Sequence, residues 1–255
     1  MNDSLGKAVE EWFGIKAEPD DVQKLQTYIK KTYGAENPAV LAKVFSSGEA
    51  AGILTVNETY FFREPAHFTL LRDHLPLYEN TGIRICCAAV ATGCEAYSIA
   101  MLIESYNKGS AAGERPLSYH IDAFDINPKV IETAVKGTYG ERTLRDDGDC
   151  FHYTAAPYLQ KLDYGYQIDT SLQKNISFFT HNLMDELQSK DYDFIFFRNA
   201  FIYFSHQNRE RVLSNITAAL KKNGTLIMGV SETAGVCHHN LDNKNSGDVF
   251  YFTRK

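Results

Sequence analysis

The chain has 255 residues, a formal charge of −6 and a sequence pI of about 5.8. With 44% hydrophobic and 13% aromatic residues it can bury a core without disulfide or metal staples. That excludes a disordered tail, and 17 Gly with 7 Pro exclude collagen-like and linker-rich classes. The acidic balance argues against broad binding to nucleic acid or anionic membranes.

The start, Met-Asn-Asp-Ser-Leu-Gly-Lys, lacks a basic-then-apolar leader pattern. Residues 1–56 read as short helices. Pro19-Asp20-Asp21 opens one with a first-turn proline and acids at the positive end of the helix dipole. Val22, Leu25, Ile29 and Tyr33 recur near the helical period, and Gly34 ends the run. Asn37-Pro38 starts another helix, with Val40, Leu41, Val44 and Phe45 on one face and Gly48 closing it. A third begins at Pro65, turns Phe68, Leu71 and Leu75 inward and stops before Pro76.

The pattern then changes. Residues 83–91 predict a strand, Thr92-Gly93 a turn, and a helix follows to about Tyr106. The longest apolar run, 85–91, is far short of the ~20 residues a membrane span needs. The five cysteines are an odd number without zinc spacing, so neither a disulfide framework nor a metal site is expected, and adjacent Cys86 and Cys87 read as small buried residues. Residues 107–116 form a polar, glycine-bearing loop, 119–126 a strand and 128–136 a helix starting on proline. The Tyr-, Asp- and Gly-rich stretch 138–174 reads as a small antiparallel insert. Strands at 175–181 and 192–197, a helix at 207–221 and strands at 225–231 and 249–253 complete the chain. Strands alternating with helices of this length imply a doubly wound, mostly parallel α/β sheet. The expected division is a helical module and linker over 1–75 and an α/β domain over 76–255, in a cytoplasmic monomer.

Open α/β sheets bind ligands at the carboxyl ends of their strands. After the first strand stands Ala91-Thr92-Gly93-Cys94-Glu95, with one glycine where a dinucleotide-binding turn has three. Asp125 ends the second strand, where an acid can accept hydrogen bonds from ribose hydroxyls; Asn127, before Pro128, is the better helix cap and frees Asp125 for a ligand. His181-Asn182-Leu183 follows the third strand and Arg198-Asn199-Ala200-Phe201-Ile202-Tyr203-Phe204 the fourth. Small polar residues beside apolar ones at four successive strand ends suit a nucleoside. Upstream, Asn57-Glu58-Thr59-Tyr60-Phe61-Phe62-Arg63 reads as either a core segment with a solvated charge or an aromatic wall with a cation aimed at a carboxylate. His238 and His239 read as exposed loop residues.

From about Thr55 onward these blocks resemble the CheR-type chemotaxis-receptor methyltransferases, whose pattern is approximately T-N-x-T-x-F-F-R, S-T-G-E-E-P-Y-S, D-I-D, N-L and C-R-N-x-x-I-Y-F. Here they stand as Val56-Asn57-Glu58-Thr59-Tyr60-Phe61-Phe62-Arg63, Ala91-Thr92-Gly93-Cys94-Glu95-Ala96-Tyr97-Ser98, Asp125-Ile126-Asn127, Asn182-Leu183 and 197–204, and Gly229-Val230-Ser231-Glu232 resembles G-H-S-E. The resemblance implies a Rossmann-like methyltransferase fold binding S-adenosyl-L-methionine, with S-adenosyl-L-homocysteine as product. It implies cofactor contacts from Asn57, Thr59, Arg63, Glu95, Asp125, Asn182, Leu183, Asn199 and Ala200, with Arg63 and Tyr203 nearest the chemistry. It further implies methyl transfer to glutamate side chains in the cytoplasmic domain of chemoreceptors. The alternatives are a methyltransferase on another substrate and a noncatalytic cofactor-binding regulator. Two departures stand out. Cys94 and Ala96 replace Glu and Pro of the pattern, and residues 1–56 hold six Lys and no Arg against eight acids, where the family usually carries an Arg-rich helix.

Overall fold

The computed structural model describes residues 2–109, 115–145, 151–234 and 236–255. Cys150 and half of the 107–116 loop, residues 110–114, lie outside them. Four helices come first: α1 (Asn2–Phe13), α2 (Pro19–Tyr33), α3 (Pro38–Ser46) and α4 (Glu49–Leu54). Gly34, at φ 75°, ends α2, and the Asn37 side chain caps α3 by accepting from the Val40 N–H at 3.0 Å. Leu5, Val9 and Phe13 fall on one face of α1 and pack with Val22, Leu25, Ile29 and Val44 in a small core. Phe61, Phe62 and helix α5 (Pro65–His74) belong instead to the core under the main sheet, so the packing divides near residue 55.

The main elements follow in order: β1 (Ile83–Ala88), α6 (Cys94–Gly109), β2 (Tyr119–Asp125), α7 (Pro128–Lys136), β3 (Thr138–Tyr139), the single turn α8 (His152–Ala155), β4 (Leu159–Leu162), β5 (Gly165–Ile168), β6 (Ile176–Thr180), β7 (Tyr192–Phe197), α9 (His206–Ala219), β8 (Leu220–Met228), β9 (Leu241–Ser246) and β10 (Val249–Arg254). Seven strands form one sheet in the order β6-β2-β1-β7-β8-β10-β9. The first five are parallel, and β10 runs antiparallel to both neighbours. Alternation sends Ile85 and Cys87 into the core with α5 and α6, and Cys86 and Ala88 into the core with α9. Both cysteines are fully buried, as the apolar run around them predicts. Chain order reverses across β1, which lies between β2 and β7, and this places the switch-point crevice at its carboxyl end.

The expected insert is present as a second, antiparallel sheet, β3-β5-β4. It is tied to the main sheet where the crevice opens: Tyr139 Oη donates to Thr92 O at 2.6 Å, and Phe61 N donates to Thr143 O at 2.8 Å. Phe151 stacks on Phe62 at 4.8 Å.

Three boundaries differ from the sequence reading. The strand expected over 83–91 stops at Ala88, because Ala89 and Ala91 adopt left-handed φ of 59° and 50°. The helix expected to 221 ends at Ala219, and β8 starts directly after it, ending at Met228 rather than 231. Strand β9 was not expected: Leu-Asp-Asn-Lys-Asn-Ser shows no apolar alternation, since it is a solvated edge strand paired only with β10. His239 is exposed as expected, while His238 is half-buried with Nε2 3.2 Å from Ser214 Oγ.

Gly93 is obligatory at the turn between β1 and α6. Its φ is +89°, and a Cβ there would lie 2.8 Å from Ala134 Cβ on α7. Gly93→Ala is expected to cost about 2–3 kcal/mol, from left-handed strain plus displacement of α7. Urea denaturation measures it; a loss below ~0.5 kcal/mol would contradict the geometry.

Candidate cofactor and substrate site

A cavity enclosing about 950 Å³, mouth included, opens at the carboxyl ends of β1, β2, β6 and β7. All ten residues singled out in the sequence line it: Asn57, Thr59, Arg63, Glu95, Asp125, Asn182, Leu183, Asn199, Ala200 and Tyr203. They come from five separate stretches and meet only because the strands converge here.

The lining loops are strained. Phe62, Glu64, Ala89, Ala91 and Asn199 all have φ between 50° and 59°, leaving only Asp191 and Asn223 as left-handed non-glycines elsewhere among the described residues. Such conformations cost of order 1–3 kcal/mol each and persist only where surroundings fix them. Two carboxylates fix Asn199. Glu232, buried behind it, accepts from Asn199 N at 2.6 Å, Gly229 N at 3.0 Å and Ile202 N at 3.2 Å. Glu64 accepts from Asn199 Nδ2 at 3.2 Å and Val230 N at 3.3 Å.

Asp125, 6% exposed, uses one oxygen to accept from Ala91 N at 2.9 Å and the other to accept from Asn127 N at 3.0 Å. Each oxygen keeps a lone pair for the cavity. Burial pushes this carboxyl up, against the pull of its N–H donors. Asn127 caps α7 through Lys129 N, as its position before Pro128 predicts.

At the other end of the cavity lies a buried ionic cluster. Arg198, its side chain 2% exposed, donates to Glu95 Oε2 at 2.8 Å and to Arg63 O at 2.5 Å, and lies 3.2 Å from Glu64. Burial raises the Glu95 carboxyl, with Arg198 opposing. Burial alone would raise Glu64 too, but His67, the Arg198 charge and Asn199 together hold it well below the carboxylate range. His67, whose Nδ1 is 3.2 Å from Glu64, is pushed below its ordinary value by burial and is neutral at pH 7. One guanidinium thus faces two carboxylates, and the cluster carries surplus negative charge into the cavity. Arg198 Nε is buried with no hydrogen-bond partner among the described residues.

Arg198, Glu64, His67 and Glu232 were not assigned roles from sequence. Arg198 and Glu232 lie inside quoted motif blocks, and Glu64 with His67 follow Arg63 directly; their partners are remote in sequence. The structure also adds the first helix to the site. Phe13 and Ile15 line the cavity, Ile15 bridges to Phe204, and Asn182 donates to Trp12 O at 2.7 Å. The Asn182 side chain is therefore a strut, since its Oδ1 also accepts from Met184 N at 3.0 Å.

Residues 57–249 match the family described as CheR methyltransferase, SAM binding domain. The chain belongs to this family. Chemotaxis protein methyltransferases of Borreliella burgdorferi and Listeria monocytogenes are 35% and 31% identical to it, over 71% and 72% of this chain and 65% and 68% of theirs. WspC of Pseudomonas aeruginosa, a methyltransferase named for biofilm formation, is 30% identical over 77% of this chain and 47% of its own length. The chain thus spans between about half and two-thirds of the length of these three relatives. Among solved structures, the SAM-bound amino pentose methyltransferase CalS10 of Micromonospora echinaspora aligns with a TM-score of 0.38 at 8% identity, covering 70% of this chain and 56% of that one, a likeness that bears on neither site nor substrate.

The family's cofactor is S-adenosylmethionine, and the cavity suits it. The open lone pairs of Asp125 match two ribose hydroxyls. The negative charge of Glu95 and Glu64 around the single Arg198 guanidinium suits a cationic amino-acid end. Asp125→Ala is expected to weaken S-adenosylhomocysteine binding roughly 10- to 100-fold by calorimetry, because a buried charged acceptor is worth about 1.5–3 kcal/mol. An unchanged Kd would place the ribose elsewhere.

Proposed function

We propose that this chain transfers the methyl group of S-adenosylmethionine to glutamate carboxylates in the cytoplasmic domain of chemoreceptors, and that it acts in the cytoplasm. The supporting observation is the meeting of Arg63 and Tyr203 with the cofactor-type residues in one cavity, within a chain of the CheR family. Bound S-adenosylmethionine supplies an electrophilic methyl group on a sulfonium.

The chain's own task is positioning. A glutamate side chain is already an anion near pH 7, with an ordinary pKa of about 4.3, so no general base is required. Arg63 reaches the cavity with one hydrogen bond from Nη1 to Glu58 O at 3.0 Å, and its guanidinium can orient a carboxylate. Tyr203, half-buried, is held by its own backbone, whose carbonyl accepts from Lys16 N at 2.8 Å. Phe68, Phe124 and Phe204 keep water from the interior walls. Charge shrinks as a carboxylate meets a sulfonium, so a dry, aligned site favours the displacement.

The test is mass spectrometry of chemoreceptor cytoplasmic fragments after incubation with the chain and cofactor. Base-labile +14 Da adducts on glutamates are expected; their absence, with S-adenosylhomocysteine still bound, would sink the reading. The similarity to WspC favours one second reading, the same chemistry on a receptor outside chemotaxis. That reading is met by methylation of such a receptor and none of chemotaxis receptors.

A further inference from the structure

An acidic chain must bring an acidic segment to its cavity, and the described residues show where it can do so. Tyr60 stands at the cavity rim with guanidinium groups against it from two elements. Arg63 lies 5.7 Å from the ring centroid and Arg145, from the insert, 4.2 Å. Arg145 Nη2 also holds the carboxylate of Glu58 at 2.6 Å, and Glu58 itself lines the cavity. Arg145, followed by Arg63, draws the Glu58 carboxyl below its ordinary value. A glutamate side chain of this protein therefore already sits on Arg145 at the cavity lining, while Arg63 holds the Glu58 backbone carbonyl at 3.0 Å and acts on the carboxylate only through its charge.

We propose that Arg145 and Arg63, set on Tyr60, form a docking subsite for a carboxylate of an acidic peptide or helix, and that Glu58 occupies this subsite until a substrate carboxylate replaces it. The proposal rests on the glutamate-methylation reading and names how that substrate is admitted. Three features support it. The ligand class is shown by Glu58, which has the chemistry of the substrate side chain. Exchange is easy, because both partners are exposed, at 60% for Glu58 and 42% for Arg145, and exposed pairs contribute little net stability. The aromatic ring fixes the planar cations where flexible lysines would wander. The insert thereby supplies a guanidinium that the first 56 residues, with six Lys and no Arg, do not.

The experiment is fluorescence anisotropy of a fluorescein-labelled, glutamate-rich helical peptide on the full chain saturated with S-adenosylhomocysteine, with a glutamine-for-glutamate peptide as control. Arg145→Gln is expected to weaken binding about 10-fold, and Glu58→Gln to tighten it about 3-fold, with both effects fading at high salt. The opposite signs separate docking from structure, since each variant breaks the same ion pair. Equal Kd in Arg145→Gln and wild type, equal affinity for the control peptide, or weakening in both variants would overturn the proposal. The two readings fail separately. Glutamate methylation with an unchanged KM in Arg145→Gln removes the subsite and leaves the reaction. Peptide binding with the expected signs but no methyl ester removes the reaction and leaves the subsite.

Discussion

Arg198→Met is expected to destabilise the protein by about 3–5 kcal/mol, because removing one member of a buried ionic cluster leaves charge unpaired in low dielectric. At roughly 2–4 °C per kcal/mol for a chain of this size, Tm falls by about 6–20 °C. The charge balance of the cluster makes the effect large: without Arg198, Glu64 and Glu95 face each other with only His67 beside Glu64 to offset them. Glu95→Gln in the Arg198→Met background should then recover part of the loss, so the two changes are not additive. The pH dependence has a definite sign. Native Glu64 sits below its ordinary 4.5, so its contribution is complete above that pH and is lost as the pH falls through it. Glu95 is raised, so its contribution runs the other way, present below 4.5 and lost as the pH climbs. In Arg198→Met both carboxyls rise, and protonation relieves the repulsion. The gap between variant and wild type therefore narrows from pH 7 to pH 4.5. Urea denaturation at the two pH values reads this; a constant gap, or strict additivity of the double variant, would show that the cluster is not the source.

Arg63→Ala should separate catalysis from binding. Its guanidinium lines the cavity, and its hydrogen bond to Glu58 O fixes the loop rather than a partner side chain. Loss of a charged group that aligns the attacking carboxylate is expected to lower kcat about 100-fold or more. The cavity keeps Asp125 and the Glu95–Arg198 pair, the proposed cofactor contacts, so the Kd for S-adenosylhomocysteine should move less than ~10-fold. A radiolabelled methyl assay beside calorimetry checks both numbers. Normal turnover would remove Arg63 from the reacting region, and a matching collapse of both would make it a cofactor anchor only.

The parallel sheet was readable because its strands are continuous apolar runs bounded by turns, and the site because such sheets gather ligands where the runs end. Asp125 could be told from a helix cap since Asn127 stands two positions closer to Pro128, and in the structure Asn127 caps α7 while Asp125 lines the cavity. What escaped was everything decided by distant partners. Glu64 looks like a solvated acid beside Pro65, yet it meets Arg198 and Asn199 more than a hundred residues away. Asn182 is a small polar residue at a strand end in sequence and a strut to Trp12 in space. Helix α1 falls within the expected short helices of 1–56, but its bounds were not read, although Leu5, Val9 and Phe13 recur every fourth residue. Strand β9 was hidden because an edge strand facing solvent needs no apolar period.

The segment joining α1 to α2 shares a wall with the reacting loop: Ile15 bridges to Phe204, and Ser205 N donates to Gly14 O at 2.9 Å. Since Phe13 and Ile15 also line the cavity, no ligand can fill it without touching this segment. Thermodynamic reciprocity follows. If a macromolecule that shifts α1 changes the cofactor's affinity by some factor, a bound cofactor changes that macromolecule's affinity by the same factor. The helical module and the cavity would then be two ports on one equilibrium.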